Sequence, residues 1–478
     1  MTTARFYTTG IGLFFAFVIL SGGGWLGPSY RLLCVSVLSI ILLFVAFWRL
    51  RNGLPNKTIY FAFVILFLAI ALMLLQLVPL SPDVWSGLAG RGFIVKDFSV
   101  LGLNDQWLPL SLSPATTKQD IIALLPALAA FFAVLSLAQQ NWRPLIWFIV
   151  ALCALSALVG LAQRFQGMNG VFNFYNYSDP VFASGFFANR NHLAALLYSV
   201  LPFLTVIGIA SQSRSDMSNR VTILLSVMLG AMMIAALGAT ASRMGAILLV
   251  VAILLIVCLM MSRQRSVSHA RKRISVLGII AVLIGGVVVA QLLLAALLRF
   301  AETDIASDYR GTIFETSVSA LKAFFPVGSG FGTFVPAYQL FEQPNIMIEA
   351  YVNHAHNDWL ELLIEGGLPM AIILASFLVW YLWVSFSTWY NPTSSLFAKA
   401  ASISICLLLI HSLVDYPLRT PALMALFGLF CGILTLNSSD TSPRRPNKLR
   451  KRHAPTPTDT EPVGFRPSTR GFQNRGQP

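Results

Sequence analysis

The sequence predicts an all-α fold: a polytopic transmembrane helical bundle of about twelve spans, with a large helical loop on one side. Three observations carry this prediction. Charged residues make up only 11% of the 478-residue chain, and its mean hydropathy is +0.73, whereas soluble globular domains run near a quarter charged. Apolar runs of about 20 residues recur along the chain, the length that crosses roughly 30 Å of hydrocarbon as a helix. Lys and Arg also crowd into alternate connections, as the positive-inside rule describes.

Taken in order, the spans are expected at roughly 8–27, 30–48, 58–79, 119–138, 143–163, 191–210, 221–240, 243–261, 274–298, 367–389, 397–414 and 420–437. The first, GIGLFFAFVILSGGGWLG, lacks a small-residue cleavage site and reads as a retained span. One set of connections holds Arg5, then Arg49, Arg51 and Lys57, then Arg143, then Arg214 and Arg220, then SRQRSVSHARKR at 262–273, and finally the tail RRPNKLRKRH. That set is assigned to the cytoplasm, with both termini inside. The net charge of +14 is largely this bias. A basic tail beside a membrane implies attraction to anionic membrane lipids rather than to nucleic acid. The chain then divides into a transmembrane domain over 1–437 and a disordered basic cytoplasmic tail over 438–478, rich in Pro, Ser, Thr and Arg. The five Cys all fall in expected spans without metal-ligand spacing and read as small core residues.

Polar chemistry gathers in the long connections opposite the cytoplasm, at about 80–118, 164–190 and 299–366, and connections this long are usually functional. The first carries Trp85 and Trp107, which suit a membrane interface, and Ser113-Pro114, which suits a helix start near 118. In FFANRNHLAALL, Asn189, Arg190, Asn191 and His192 stand where a span begins. Free N–H groups and the partial positive charge of a helix start, with an Arg beside them, suit a phosphate or pyrophosphate; plain capping with an interfacial Arg suits them as well. In GATASRMGA, Arg243 occupies a very short turn on the side that disfavours cations, which points to a function or to snorkelling. The third connection has helical spacing over 309–324, with Ile313, Ser317, Ala320, Leu321 and Phe324 on one side and Arg310 at its start. Its VGSGFG is a turn for close backbone packing, since no strand precedes it to make a nucleotide fingerprint.

The stretch HAHNDWLELLIEGG, from His354, places two His, one Asp and two Glu within fourteen positions. If Asn357 or Asp358 caps a helix, then Asp358, Glu361 and Glu365 share one stripe, with Trp359 and Leu363 turned away. His356 abuts the cap and is anchored by it, whereas His354 lies freer in the loop. HxH followed by a lone acidic stripe is not HExxH, so no metal site is assigned; helix capping or an imidazole acting as general base remain. In HSLVDYPLRTP, beside His411, Asp415 and Arg419 are expected to pair with one another. The charges avoid the spans and crowd one face, which argues for surface chemistry over a transporter or lipid-glycan flippase.

Together FFANRNHLA, TASRMGA, YRGTIFETSVSALKAFFPVGSGFGTF and HNDWLELLIEGGLPM resemble motifs of the O-antigen ligase and O-antigen polymerase family of bacterial membrane glycosyltransferases, with the core at about 182–435. The resemblance implies a GT-C-like bundle in the bacterial inner membrane, multi-pass, with its active site facing the periplasm. It implies transfer of a glycan from undecaprenyl pyrophosphate to an acceptor hydroxyl, without metal or cofactor. The acceptor is lipid A-core for a ligase, or another lipid-linked glycan for a polymerase of O-antigen or exopolysaccharide. Met370 stands where the ligases carry Gly, Thr or Tyr, so both stay open, as does a protein O-oligosaccharyltransferase. Arg243 and Arg310 match the family's essential arginines and His356 its loop histidine, implying catalytic roles. Asn189, Arg190, Asn191, His354, Asn357, Asp358 and Glu361 are then expected to bind substrate. Planar, permanently charged Arg suits a pyrophosphate leaving group, and a neutral imidazole suits the acceptor's proton.

Overall fold

A computed structural model describes residues 3–22, 29–51, 53, 58–167, 170–175, 182–211, 217–264, 305–344 and 351–437. Among these, seven helices are long and apolar enough to cross a membrane: Tyr30–Leu50, Pro114–Leu135, Gln139–Gln166, Arg190–Ser211, Met217–Ala239, Arg243–Ser262 and Asp358–Tyr390. Shorter apolar helices occupy Arg5–Leu20, Ile59–Leu75, Leu396–His411 and Pro421–Leu436. The chain is thus an all-α polytopic membrane protein, and each expected span from 8 to 261 and from 367 to 437 has its helix. The span expected at 274–298 and the tail at 438–478 lie outside the described residues.

Side-chain size explains how the helices pack. The helix Arg190–Ser211 is the most buried of the seven, and its His192, Leu193, Ala194, Leu197 and Tyr198 are closed off from solvent. Helix Pro421–Asn437 presses against Leu125–Leu135 because Gly428 and Gly432 have no side chain there. A Cβ at Gly428 would collide with the Ala127 carbonyl, and one at Gly432 with Val134. Small residues one turn apart let helices approach closely where lipid supplies no hydrophobic drive. Large apolar groups such as Phe44, Phe67 and Phe386 point outward instead, which a lipid-facing surface tolerates. Cys153 and Cys431 are buried as expected, but Cys34 and Cys258 are exposed on outward helix faces.

Two features brace the site. The connection after Leu75 folds into a small lid: Pro79–Leu80 pairs antiparallel with Leu108–Pro109, and short helices occupy Pro82–Ser86 and Gly92–Leu101. Trp107 is exposed, but Trp85 is not an interface anchor. It is buried and donates from Nε1 to the Pro109 carbonyl at 2.9 Å. The next helix starts at Pro114, four residues earlier than the polar pattern suggested, because Pro suits a first turn. The second brace is the turn Gly328–Gly332, where Gly328, Gly330 and Gly332 all adopt positive φ. It is stitched to the helix Asp358–Tyr390: Ser329 N donates to Ile364 O at 3.0 Å, Gly330 N to Glu365 O at 2.9 Å and Leu368 N to Pro326 O at 2.8 Å. Gly367, at φ 59°, kinks that helix where the turn meets it. A side chain at Gly367 would run into the Pro326 carbonyl, so the glycine is needed for the approach.

Candidate functional site

The centre of the site is Asp415, in the turn between Leu396–His411 and Pro421–Asn437. Its carboxylate is 1% exposed. Oδ2 accepts from Asn191 Nδ2 and lies 3.9 Å from a terminal nitrogen of Arg310. Oδ1 accepts from the Tyr416 backbone N–H at 2.9 Å and lies 3.5 Å from His356 Nδ1. A carboxylate offers about four lone-pair directions; Asn191 and the Tyr416 N–H fill two by hydrogen bonds, and Arg310 and His356 stand at ion-pair distance from the others. Burial alone would favour the protonated form. The contacts with His356, and the nearby His192 and His411, outweigh it and hold the Asp415 carboxyl well below the usual range.

Tyr416 forms a platform beside this carboxylate. The His354 ring lies against it at 4.3 Å, tilted, and the rings of His192 and His356 meet it edge-on at 5.1 and 5.0 Å. Burial, then the neighbouring Asp415 charge, pushes its phenol upward, so Tyr416 stays neutral. Asn189 bonds its hydroxyl and also accepts from Asn191 N at 2.8 Å, which ties the start of helix Arg190–Ser211 to the platform. His411 is turned inward, with Nδ1 2.6 Å from the Tyr198 hydroxyl.

Arg419 gathers the acidic stripe. Its guanidinium lies 3.2 Å from Asp120, 3.6 Å from Asp358, 3.3 Å from Glu361 and 3.2 Å from Glu365. These four carboxylates outweigh the cost of burial and hold the guanidinium well above its ordinary value. Asp415 and Arg419 were expected to pair. The turn instead points them to opposite sides, Asp415 toward Arg310 and His356, and Arg419 into the acidic stripe. Asn357 caps the helix by accepting from Leu360 N at 3.0 Å, and Asp358 accepts from the Ser412 hydroxyl at 2.8 Å.

The two histidines also exchange the positions read from sequence. His354, expected to be free, is buried, and its Nδ1 lies 2.9 Å from Glu361 Oε1. His356, expected to be anchored by the cap, is 26% exposed with φ at 50°. Among the described residues the other non-glycine at positive φ is Ala241, at 51°. It lies two residues before Arg243, so one strained position is a predicted catalytic residue and the other is close to one in sequence; such outliers cluster at functional sites. Ser242 accepts from Gly245 N at 3.0 Å, which starts the helix at Arg243. Gly245 then lets this helix pack on Ala194, one turn beyond Arg190. Arg190 lies over the Phe182 ring at 4.1 Å. The structure thus brings Asn191, Arg310 and His356 onto one carboxylate, with Asn189 and His354 on the adjoining tyrosine. Asp358 and Glu361 join the Arg419 network, and Arg190 and Arg243 stand at the starts of two neighbouring helices.

Sequence reasoning missed Asp415 and Tyr416 as the hub. A signal existed: Asp415 is the sole Asp or Glu between Gly366 and Ser439. A cavity of about 280 Å³ is lined by apolar groups including Ile65, Phe131, Met370 and Phe377, together with Asp358 and Ser412 of the site. Among the described residues, no cluster of three or more His, Cys, Asp or Glu is arranged to hold a metal ion. A protein-family model described as O-antigen ligase matches residues 228–375, a stretch holding Arg243, Arg310 and His356. No curated protein matches the chain.

Proposed function

We propose that this membrane protein, whose residues 228–375 match a family model described as O-antigen ligase, transfers a glycan from undecaprenyl pyrophosphate to an acceptor hydroxyl at the periplasmic face of a bacterial inner membrane. The observation that carries this reading is the convergence of Arg310, Asn191 and His356 on Asp415 at one end of the helical bundle. The half-exposed guanidinium of Arg310 is open to solvent and suits a pyrophosphate. Arg190 and Arg243 add cations at helix starts, where the helix dipole favours anions. The apolar cavity that Asp358 and Ser412 help to line suits part of a polyprenyl chain.

In this reading the acceptor oxygen attacks the anomeric carbon of the donor's first sugar. The bond from that carbon to the pyrophosphate oxygen breaks, and its electron pair leaves with undecaprenyl pyrophosphate. The acceptor's proton passes to His356, whose Nδ1 faces Asp415 and whose other nitrogen is the acceptor for that proton. The arginines hold the charge that grows on the leaving group. His354, Asn357, Asp358 and Glu361 shape the ground on which His356 stands.

Purified full-length protein in nanodiscs, given lipid-linked glycan donor, tests this. Formation of free undecaprenyl pyrophosphate together with an elongated acceptor supports it; lipid A-core as acceptor identifies a ligase, and a second lipid-linked repeat unit a polymerase. Donor binding without any transfer to either acceptor would reject the assignment.

A further inference from the structure

One carboxylate serves both halves of the proposed chemistry. Asp415 Oδ2 faces Arg310 and Asn191, and Oδ1 faces His356 and the Tyr416 N–H. The two side chains it shares are held differently. Arg310 is 49% exposed and sits 3.9 Å away, at the limit of an ion pair, so a stronger anion can draw it off. Asp415 is 1% exposed and tied through its backbone, with its N–H donating to His411 O at 3.0 Å, so it stays in place. Resting on the proposed function, we infer that Asp415 is a positioning residue coupling donor binding to the acceptor side: a pyrophosphate takes Arg310 from Asp415, and the carboxylate, still held by Asn191 and the Tyr416 N–H, then grips His356 more strongly.

The physical basis is competition. While Arg310 shares the carboxylate, its positive charge weakens the pull of Asp415 on the imidazole N–H. Withdrawal of the guanidinium to a pyrophosphate lets the 3.5 Å contact between His356 Nδ1 and Asp415 close into a hydrogen bond, because charge-assisted bonds tighten as the acceptor's negative charge is less shared. His356 is then fixed, with its other nitrogen toward the acceptor, only when a donor is present. The remaining groups around it are His192 from the buried span, His354 from its own segment, His411 from the preceding helix end, and the Tyr416 phenol. Among the described residues Asp415 is the carboxylate within ion-pair distance of Arg310, and Arg419 is committed to the acidic stripe.

This mechanism makes a prediction of opposite signs that a merely structural carboxylate would not. In Asp415→Asn, Arg310 is released without cost, so undecaprenyl pyrophosphate binds more tightly. The same change unfixes His356, so kcat falls on the order of 10²-fold, the scale of general-base catalysis. Binding is read by calorimetry in nanodiscs and kcat with saturating donor. Weaker binding together with the lower kcat, or an unchanged kcat, would overturn the coupling. Should the variant not fold, the wild-type protein supplies the second measurement. With 15N-labelled histidine, the His356 Nδ1 proton should move downfield when undecaprenyl pyrophosphate is added, and an unmoved proton despite binding refutes the inference. If wild-type protein binds no undecaprenyl pyrophosphate, the proposed function itself fails, a result distinct from both.

Discussion

At the scale of single residues, the site separates groups that hold charge from groups that shape it. Arg310 and Arg243 are expected to resist even replacement by Lys, because an ammonium cannot make the two parallel hydrogen bonds of a guanidinium. Arg310→Lys and Arg243→Lys should each lower kcat/KM on the order of 10²-fold, comparable to removing an oxyanion donor. Near-normal turnover in both would reduce them to interfacial anchors. His356→Ala should abolish transfer while donor binding survives. His354→Ala is expected to act differently, because its imidazole is buried against Glu361. It should lower thermal stability by about 1–3 kcal/mol, the cost of a buried polar partner lost, with transfer per folded molecule largely kept. A transfer-dead His354→Ala of normal stability would reverse these assignments.

At the scale of elements, the kinked helix Asp358–Tyr390 is the organising piece. Its first turns carry the acids that Arg419 collects, and its kink receives the glycine turn. Arg419→Met would leave Asp120, Asp358, Glu361 and Glu365 buried without their guanidinium. Breaking such a network from one side costs about 3–5 kcal/mol, so the variant should show a markedly lower melting temperature in detergent, whatever its activity. Gly367→Ala should also destabilise, by about 1–3 kcal/mol, since the position needs positive φ and lies against the Pro326 carbonyl. Wild-type melting in either variant would show that the element is less constrained than its contacts imply. The lid is held by Arg91, whose buried guanidinium donates to the Leu110 and Gly328 carbonyls and lies between Trp85 and Phe324. Burial lowers it to about 10, so it remains charged near neutral pH.

At the scale of the whole molecule, the charge asymmetry of the connections governs orientation. Reporter fusions after residues 100 and 340 should read periplasmic, and those after 268 and 445 cytoplasmic. A cytoplasmic reading at 340 would put Arg310 and His356 on the wrong side for a periplasmic donor and sink the mechanism.

What the sequence determined by itself is what one-dimensional pattern can encode. Apolar runs of membrane length place the helices, because hydrocarbon forces backbone groups to pair within a segment. The cap at Asn357, the helix through Arg310 and the acidic stripe were legible from 3.6-residue periodicity, since neighbours one turn apart lie on one face. Which charges meet was not legible. Asp415 and Arg419 are four residues apart, yet one turns to Arg310 and His356 and the other to Asp120 and Glu365. His354 and His356 likewise exchange burial across two positions. Such partners lie on other helices, and only the packing of Arg190–Ser211, Ile305–Phe324 and Asp358–Tyr390 around one turn decides them. A buried charge takes whichever opposite group that packing brings within reach, because leaving it unpaired costs more than any local preference.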